Sequence, residues 1–195
     1  AALTFEEAAA APMAALTALQ GLRDSGQIKA GQRVLINGAS GGVGTYAVQI
    51  AKAFGAEVTG VCSTSKMDLV RSIGADHVVD YTREDVTRSE RRYDLIFDVA
   101  AFRPVSEYKR VLNPGGIYVV AGGSIGRIFQ TMVFSKFKAK TMQVIIARVD
   151  QKDLHVLAEM MTAGKVRSVI DKRYPLSETA EALRYLEEGR ARGKV

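Results

Sequence analysis

The chain has 195 residues, 47% hydrophobic and 25% charged, with a net charge of +6. Those proportions suit one folded domain with a sizeable core and exclude disordered, collagen-like and low-complexity classes. No apolar run approaches the roughly 18 residues of a membrane helix, and the single cysteine, Cys62, excludes an intrachain disulfide framework and a cysteine-rich zinc module. Cys62 fits a reducing compartment, and a cytoplasmic location is expected. The opening residues carry Glu6 and Glu7 in place of a basic start, unlike a signal peptide. The first and last residues read as those of a piece cut from a longer chain. Positive charge is scattered, apart from short clusters at Arg88, Arg91 and Arg92, at Lys136, Lys138 and Lys140, and at Arg190, Arg192 and Lys194. Two of the three lie among acids, and none alternates with aromatics as in a single-strand binder; no nucleic-acid or membrane partner is expected.

In chain order, Phe5 to Ala11 reads as a helix interrupted by Pro12, and Met13 to Asp24 as a second, with Leu16, Leu19 and Leu22 on one face. Gly21 and Gly26 weaken it and mark its end. Arg33 to Asn37 is a short apolar run of the kind that forms a buried parallel strand. A glycine-rich stretch, Gly38 to Gly44, leads into a helix at Thr45 to Phe54. Strands are expected at Glu57 to Cys62, His77 to Asp80, Tyr93 to Val99, Ile117 to Ala121 and Met142 to Ala147. Helices are expected at Lys66 to Ile73 and Pro104 to Leu112, the latter stopped by Asn113-Pro114-Gly115-Gly116. Alternating strands and helices imply an α/β, doubly wound, six-stranded parallel sheet.

Beyond the sixth strand, Lys152 to Ala163 reads as a helix, Ser168 to Tyr174 as a strand, and Glu178 to Glu188 as a helix capped by Ser177. The strand at Val169 to Tyr174 has no place in such a sheet, and is expected to belong to another domain.

Asn37-Gly38-Ala39-Ser40-Gly41-Gly42-Val43-Gly44 follows a strand and opens a helix, the context of a dinucleotide fingerprint. On that count Ala39 takes the tight turn, Gly41 admits a pyrophosphate to the backbone, and Gly44 lets helix and strand pack closely. The helix N-terminus offers free N–H groups to the phosphates. A plain structural turn is the competing reading. No Lys follows Gly44, which excludes an NTPase phosphate loop. No Tyr stands four residues before a Lys, as a short-chain reductase would require.

Cofactor choice turns on the end of the second strand, where an acid would hold the ribose hydroxyls of NAD. Here the chain reads Cys62-Ser63-Thr64-Ser65-Lys66. Three hydroxyls and a lysine favour the 2′-phosphate of NADP. The same residues could also cap a helix, and both roles are compatible.

Together these segments resemble the medium-chain dehydrogenase/reductase superfamily, in its NADPH-dependent quinone oxidoreductase-like branch. The resemblance is carried by Pro12-Met13-Ala14-Ala15-Leu16-Thr17-Ala18, Val34 to Gly44, Gly74-Ala75-Asp76-His77-Val78-Val79-Asp80-Tyr81, Phe97-Asp98-Val99, Leu112-Asn113-Pro114-Gly115-Gly116 and Gly193-Lys194-Val195. It implies a Rossmann-type cofactor domain over residues 1–165. Residues 166–195 would then return to a separate, GroES-like catalytic domain that precedes this sequence. It also implies that Thr17 lies beside the nicotinamide and that Ser40, Gly41, Gly42 and Val43 hold the pyrophosphate. Ser63, Lys66 and Tyr81 would surround the 2′-phosphate, with Thr64 added from the run of hydroxyls, and Gly122 and Gly123 would border the nicotinamide ribose. Each has a plainer alternative: a back-bonded Thr17, a packing Tyr81, a simple turn at Gly122-Gly123.

Zinc-bearing relatives place a Cys where this chain has Met13, so no catalytic zinc is expected. The implied activity is hydride transfer from NADP(H) to a small electron acceptor, a quinone or an α,β-unsaturated carbonyl, with the acceptor groups on the preceding domain. An alcohol dehydrogenase of the same superfamily is the enzymatic alternative; a nucleotide-sensing or RNA-binding scaffold is the non-enzymatic one. A homodimer through the sixth strand is expected, because Met142 to Ala147 would otherwise leave an apolar edge. The basic and apolar stretch Ser124 to Lys140 is expected near the acceptor pocket or the dimer edge.

Overall fold

A computed structural model describes residues 3–122 and 141–195; Gly123 and the stretch 124–140 lie outside the described residues. Six strands form one parallel sheet: β1 (Arg33–Asn37), β2 (Glu57–Cys62), β3 (His77–Asp80), β4 (Tyr93–Asp98), β5 (Leu112–Val120) and β6 (Met142–Val144). Their order is β3-β2-β1-β4-β5-β6, the doubly wound Rossmann order, which reverses between β1 and β4. In register, Asn37 stands beside Val61 on one side and Asp98 on the other. The crevice at this reversal is where the glycine-rich stretch leaves the sheet.

Side chains alternate across the sheet. Val34, Ile36, Val58, Leu95 and Phe97 face one layer, packed by α2 (Pro12–Gln20) and α3 (Gly42–Ala53). Leu35, Val61, Ile96, Tyr118 and Val120 face the other, with Tyr108 of α5 (Val105–Tyr108). Burying a side chain such as Phe97 contributes about 1.5–3 kcal/mol. Both faces are covered, which is why the strands read as near-continuous apolar runs.

Before the sheet, α1 (Phe5–Ala10) starts in a capping box: the Thr4 hydroxyl accepts from Glu7 N, and Thr4 N donates to the Glu7 carboxylate. Pro12 is the first residue of α2, where its fixed φ suits helix initiation. The second helix does not run evenly to Asp24. It passes at Gly21 into a π-turn, Gly21–Ser25. Gly21 is there for packing, because a β-carbon would fall 2.4 Å from Phe97 Cε2.

Three further expectations need correction. The fifth strand begins at Leu112, so Asn113-Pro114-Gly115-Gly116 lies within it, beside a register shift between Tyr93 and Leu95. The helix expected over Pro104 to Leu112 is α5 followed by a 3-10 turn, Lys109–Val111. The sixth strand ends at Val144, short of Ala147.

Helices α4 (Met67–Ser72), α6 (Gln151–Thr162) and α7 (Thr179–Glu187) complete the elements used below. Ser177 does not cap α7; it lies in a 3-10 turn, Leu176–Glu178, set up by Pro175. Nor does Ser168 to Tyr174 form a strand. It makes one parallel bridge, Ile170 to Lys194, with Lys194 N donating to Val169 O and Asp171 N to Lys194 O, both at 2.8 Å. Its alternation finds no sheet edge to join.

Two buried glutamines fasten this later chain to the early helices. Gln20 of α2 donates to Arg148 O and accepts from Arg148 N, each at 2.9 Å, and also donates to Asp153 Oδ2 at 2.8 Å. Gln49 of α3 does the same to both backbone groups of Arg167, at 2.9 Å each. Among the described residues, no helix is long and apolar enough to cross a membrane.

Candidate functional site

Beyond β1, Gly38 turns the chain with φ +84°, and Gly38 N and Ala39 N both donate to Val61 O. The left-handed position is therefore Gly38, and Ala39 is instead a buried methyl packed toward Gly60 of β2. Gly44 is essential to the turn: a β-carbon there would lie 2.0 Å from Gly38 O. At Gly41 it would meet only Gly38 O, at 3.5 Å. Gly41 thus leaves its side-chain position open, while its own N–H donates to Gly38 O at 3.1 Å, and α3 begins at Gly42 with no side chain capping its N–H groups. An anion at this point would be met by backbone donors.

The C-terminal ends of β1, β4 and β5 are joined by a buried carboxylate. Asp98 accepts from Asn37 Nδ2, Ala101 N and Tyr118 Oη, each at 2.7 Å. Burial pushes its pKa up, while these donors oppose that rise. Asp98 also sets the loop that follows β4, where Ala101 is held at φ +49°.

A cavity of about 430 Å³ opens at these strand ends, within the usual range for small-molecule sites. Ser40, Gly41, Ser63, Lys66 and Tyr81 line it, so five of the expected cofactor residues come together. Gly42 and Val43 open α3, with the Lys194 side chain over Gly42. Thr64 is turned away: its hydroxyl donates to the buried Asp80 carboxylate, which lowers the Asp80 pKa. Thr17 is back-bonded within α2, its hydroxyl donating to Met13 O at 2.7 Å, and it does not line the cavity. Gly122 packs where a β-carbon would be 2.6 Å from Val99 O; Gly123 lies outside the described residues.

Other lining residues escaped the sequence reading, Glu84, Phe102, Arg103 and Gly189 among them, and Asn37 entered it only as the start of the glycine-rich stretch. Those after β3 and β4 could have been found from position alone, because ligands in such sheets bind beyond the strand C-termini. Gly189 carried no such signal. Arg103 is fixed by Asp85 at 2.9 Å and Glu107 at 3.1 Å. Burial, and next the charge of Asp80, push the Cys62 thiol up to about 11, which leaves it protonated and unreactive at neutral pH. His77 lies at the opposite end of the sheet, within 2.9 Å of Glu57 and 2.8 Å of Arg91. Among the described residues, no group of three or more His, Cys, Asp or Glu side chains is placed to hold a metal ion.

Residues 73–195 match the family model described as zinc-binding dehydrogenase. The mitochondrial NAD(P)H oxidoreductase RTN4IP1 of Mus musculus is 36% identical, covering 99% of this chain and 55% of that protein. The 2-methylene-furan-3-one reductase of Solanum lycopersicum is 35% identical, covering 99% and 47% respectively. The solved quinone oxidoreductase of Coxiella burnetii superimposes with a TM-score of 0.88 at 29% identity, covering 98% of this chain and 60% of that one. The chain thus spans about half the length of the curated relatives it matches. The sheet order, the turn built on Gly38 and Gly44 and these matches agree: this chain belongs to the zinc-binding dehydrogenase family, in the quinone oxidoreductase-like branch of the medium-chain dehydrogenase/reductase superfamily.

Proposed function

We propose that this chain is the NADP(H)-binding part of an oxidoreductase that reduces a quinone or an α,β-unsaturated carbonyl without zinc. One observation carries the reading. One cavity joins Gly41, which has no side chain to fill it, to Ser63, Lys66 and Tyr81, and β2 ends without a carboxylate. The cavity suits the adenosine and phosphate half of a dinucleotide: Gly41 leaves room that a side chain would fill, and the Lys66 ammonium supplies charge. The bound cofactor supplies hydride. The residues of this chain bind and orient. Backbone N–H groups at the start of α3 meet the pyrophosphate, and the Ser63 and Tyr81 hydroxyls with Lys66 meet the 2′-phosphate. Gly42 and Val43 form the first turn of α3 and so carry N–H groups of that helix start; Gly122 is placed by its packing on Val99 O at the neighbouring strand end. Catalysis then rests on placement of the nicotinamide against an acceptor bound largely by the remainder of the protein.

Segment 166–195 is proposed to belong with the catalytic domain in that remainder, and β6, at the sheet edge, to pair with a second copy in a homodimer. The cytoplasm is the proposed compartment, on the reduced, buried Cys62; the murine relative is named as mitochondrial.

Titration of this chain with NADPH and NADH at low salt tests the reading. NADPH is expected to bind at least about ten-fold tighter, a difference of about 1.4 kcal/mol. Tighter NADH binding would overturn the NADP assignment and favour an NAD-dependent alcohol dehydrogenase. If neither nucleotide binds but RNA does, in a salt-sensitive manner, the scaffold alternative takes its place.

A further inference from the structure

The Lys66 ammonium is held by two backbone carbonyls of one distant segment, Gly189 O at 2.8 Å and Ala191 O at 2.9 Å. An ammonium has three donors and no acceptor, so one N–H remains. Lys66 and Gly189 line the same cavity as Ser63 and Tyr81.

The segment that supplies these carbonyls is itself fixed to the glycine-rich turn. Gly193 N donates to Ser40 O at 2.9 Å, and Gly193 bridges Gly41 in parallel. Farther along, Lys194 N donates to Val169 O, and Arg192 N to Asp171 Oδ2 at 3.0 Å. The Tyr185 hydroxyl reaches the same Asp171 oxygen at 2.7 Å. One strap therefore grips the proposed pyrophosphate turn at one end and the proposed 2′-phosphate lysine at the other.

Holding Lys66 there carries an electrostatic cost. Burial, and then the charge of Arg192, lower its pKa. The negative charge of a bound phosphate would offset both effects by favouring the charged ammonium. A free lysine is a flexible point charge that loses rotamer entropy when it engages a ligand. Fixing it in advance removes that loss from binding.

We infer that the Gly189 and Ala191 carbonyls are positioning groups for cofactor choice: they orient the Lys66 ammonium and leave its third donor for the 2′-phosphate of NADPH. The strap, and not the lysine alone, then sets the preference for NADPH over NADH. The inference rests on the NADP reading of the site proposed above.

Gly189 gives access to this arrangement. Its φ is +67°, and an added β-carbon would meet nothing within 4 Å. Gly189→Val therefore strains the backbone and displaces the carbonyl without a clash. Dissociation constants for NADPH and NADH are measured on the unmodified chain, Gly189→Val, the milder Gly189→Ala, Lys66→Met, and the double variant Gly189→Val/Lys66→Met. Thermal melting selects whichever Gly189 variant folds. Lys66→Met is expected to weaken NADPH by about ten-fold or more and NADH by less than about two-fold. The Gly189 variants should weaken NADPH by about three- to ten-fold and spare NADH, and the double variant should be no weaker than Lys66→Met alone, the non-additivity of groups that act as a unit. Equal losses for both nucleotides, no loss at Gly189, or additive losses would overturn the inference while leaving the NADP reading intact. An unchanged NADPH affinity in Lys66→Met, or no NADPH binding by the unmodified chain, would overturn that reading as well.

Discussion

Helices α3 and α7 are held in different ways. From Gly44 to Ala51, α3 is buried without a break, against α2 on one side and the sheet on the other. Helix α7 buries no residue, and Leu183 and Leu186 remain about half exposed. The chain around α3 is fixed by apolar packing. The chain after α7 is fixed by backbone hydrogen bonds at Lys66, Ser40, Val169 and Asp171. Packing gives stability that is lost only with the whole fold; a few half-exposed hydrogen bonds give placement that opens at much lower cost. The proposed site uses both, a rigid turn below and an adjustable strap above.

The contrast is testable most severely at the start of α3. Gly44→Ala would push a β-carbon into the Gly38 carbonyl and should cost at least about 3 kcal/mol, lowering the melting temperature and abolishing nucleotide binding together. Gly41→Ala should leave stability within about 0.5 kcal/mol yet weaken NADPH and NADH alike, because its methyl faces the cavity. If the two variants behave the same in melting and titration, turn geometry and ligand access are not separable as described.

A smaller effect is expected where α6 joins the packed body. Asp153 has its pKa lowered first by the Arg23 hydrogen bond, at 2.7 Å, and is also bonded by Gln20. A depressed folded-state pKa means stability that is present above the unfolded value of about 3.9 and lost as pH falls through the folded value. Melting curves of the unmodified chain and Asp153→Asn should therefore differ at pH 7 and converge as pH falls through the depressed folded-state pKa. A gap that persists in acid would assign the effect to packing. Least of all, Leu183→Ala in α7 should change the stability of this chain by no more than about 0.5 kcal/mol; a larger loss in the melting temperature would mean that α7 is packed.

Sequence reading served best where one local cause decides the structure. β1, β2 and β3 were legible to the residue, because buried parallel strands are apolar runs cut off by turns. Gly44 was legible because close helix–strand contact requires glycine. Ala39 was misread because the fingerprint count gave it the turn, whereas the positive φ belongs to Gly38. The strand expected at Ser168 to Tyr174 had the alternation of a strand and no edge to pair with. The grip on Lys66 was not legible at all. It joins residues 123 and 125 positions apart through carbonyl oxygens, which every residue carries and no side chain announces.

Gln20 and Gln49 each present a carboxamide to both the N–H and the C=O of one distant residue, as a peptide group in a neighbouring strand would. A surrogate of that kind works only while it keeps donor and acceptor together. Glutamate has nearly the same shape, but it loses the donor and brings a charge into a buried site. Hydrolytic loss of ammonia at either position is therefore a conformational lesion as well as a chemical one. Such a change would loosen the segment at Arg148 or Arg167 without removing a hydrogen bond of the sheet itself.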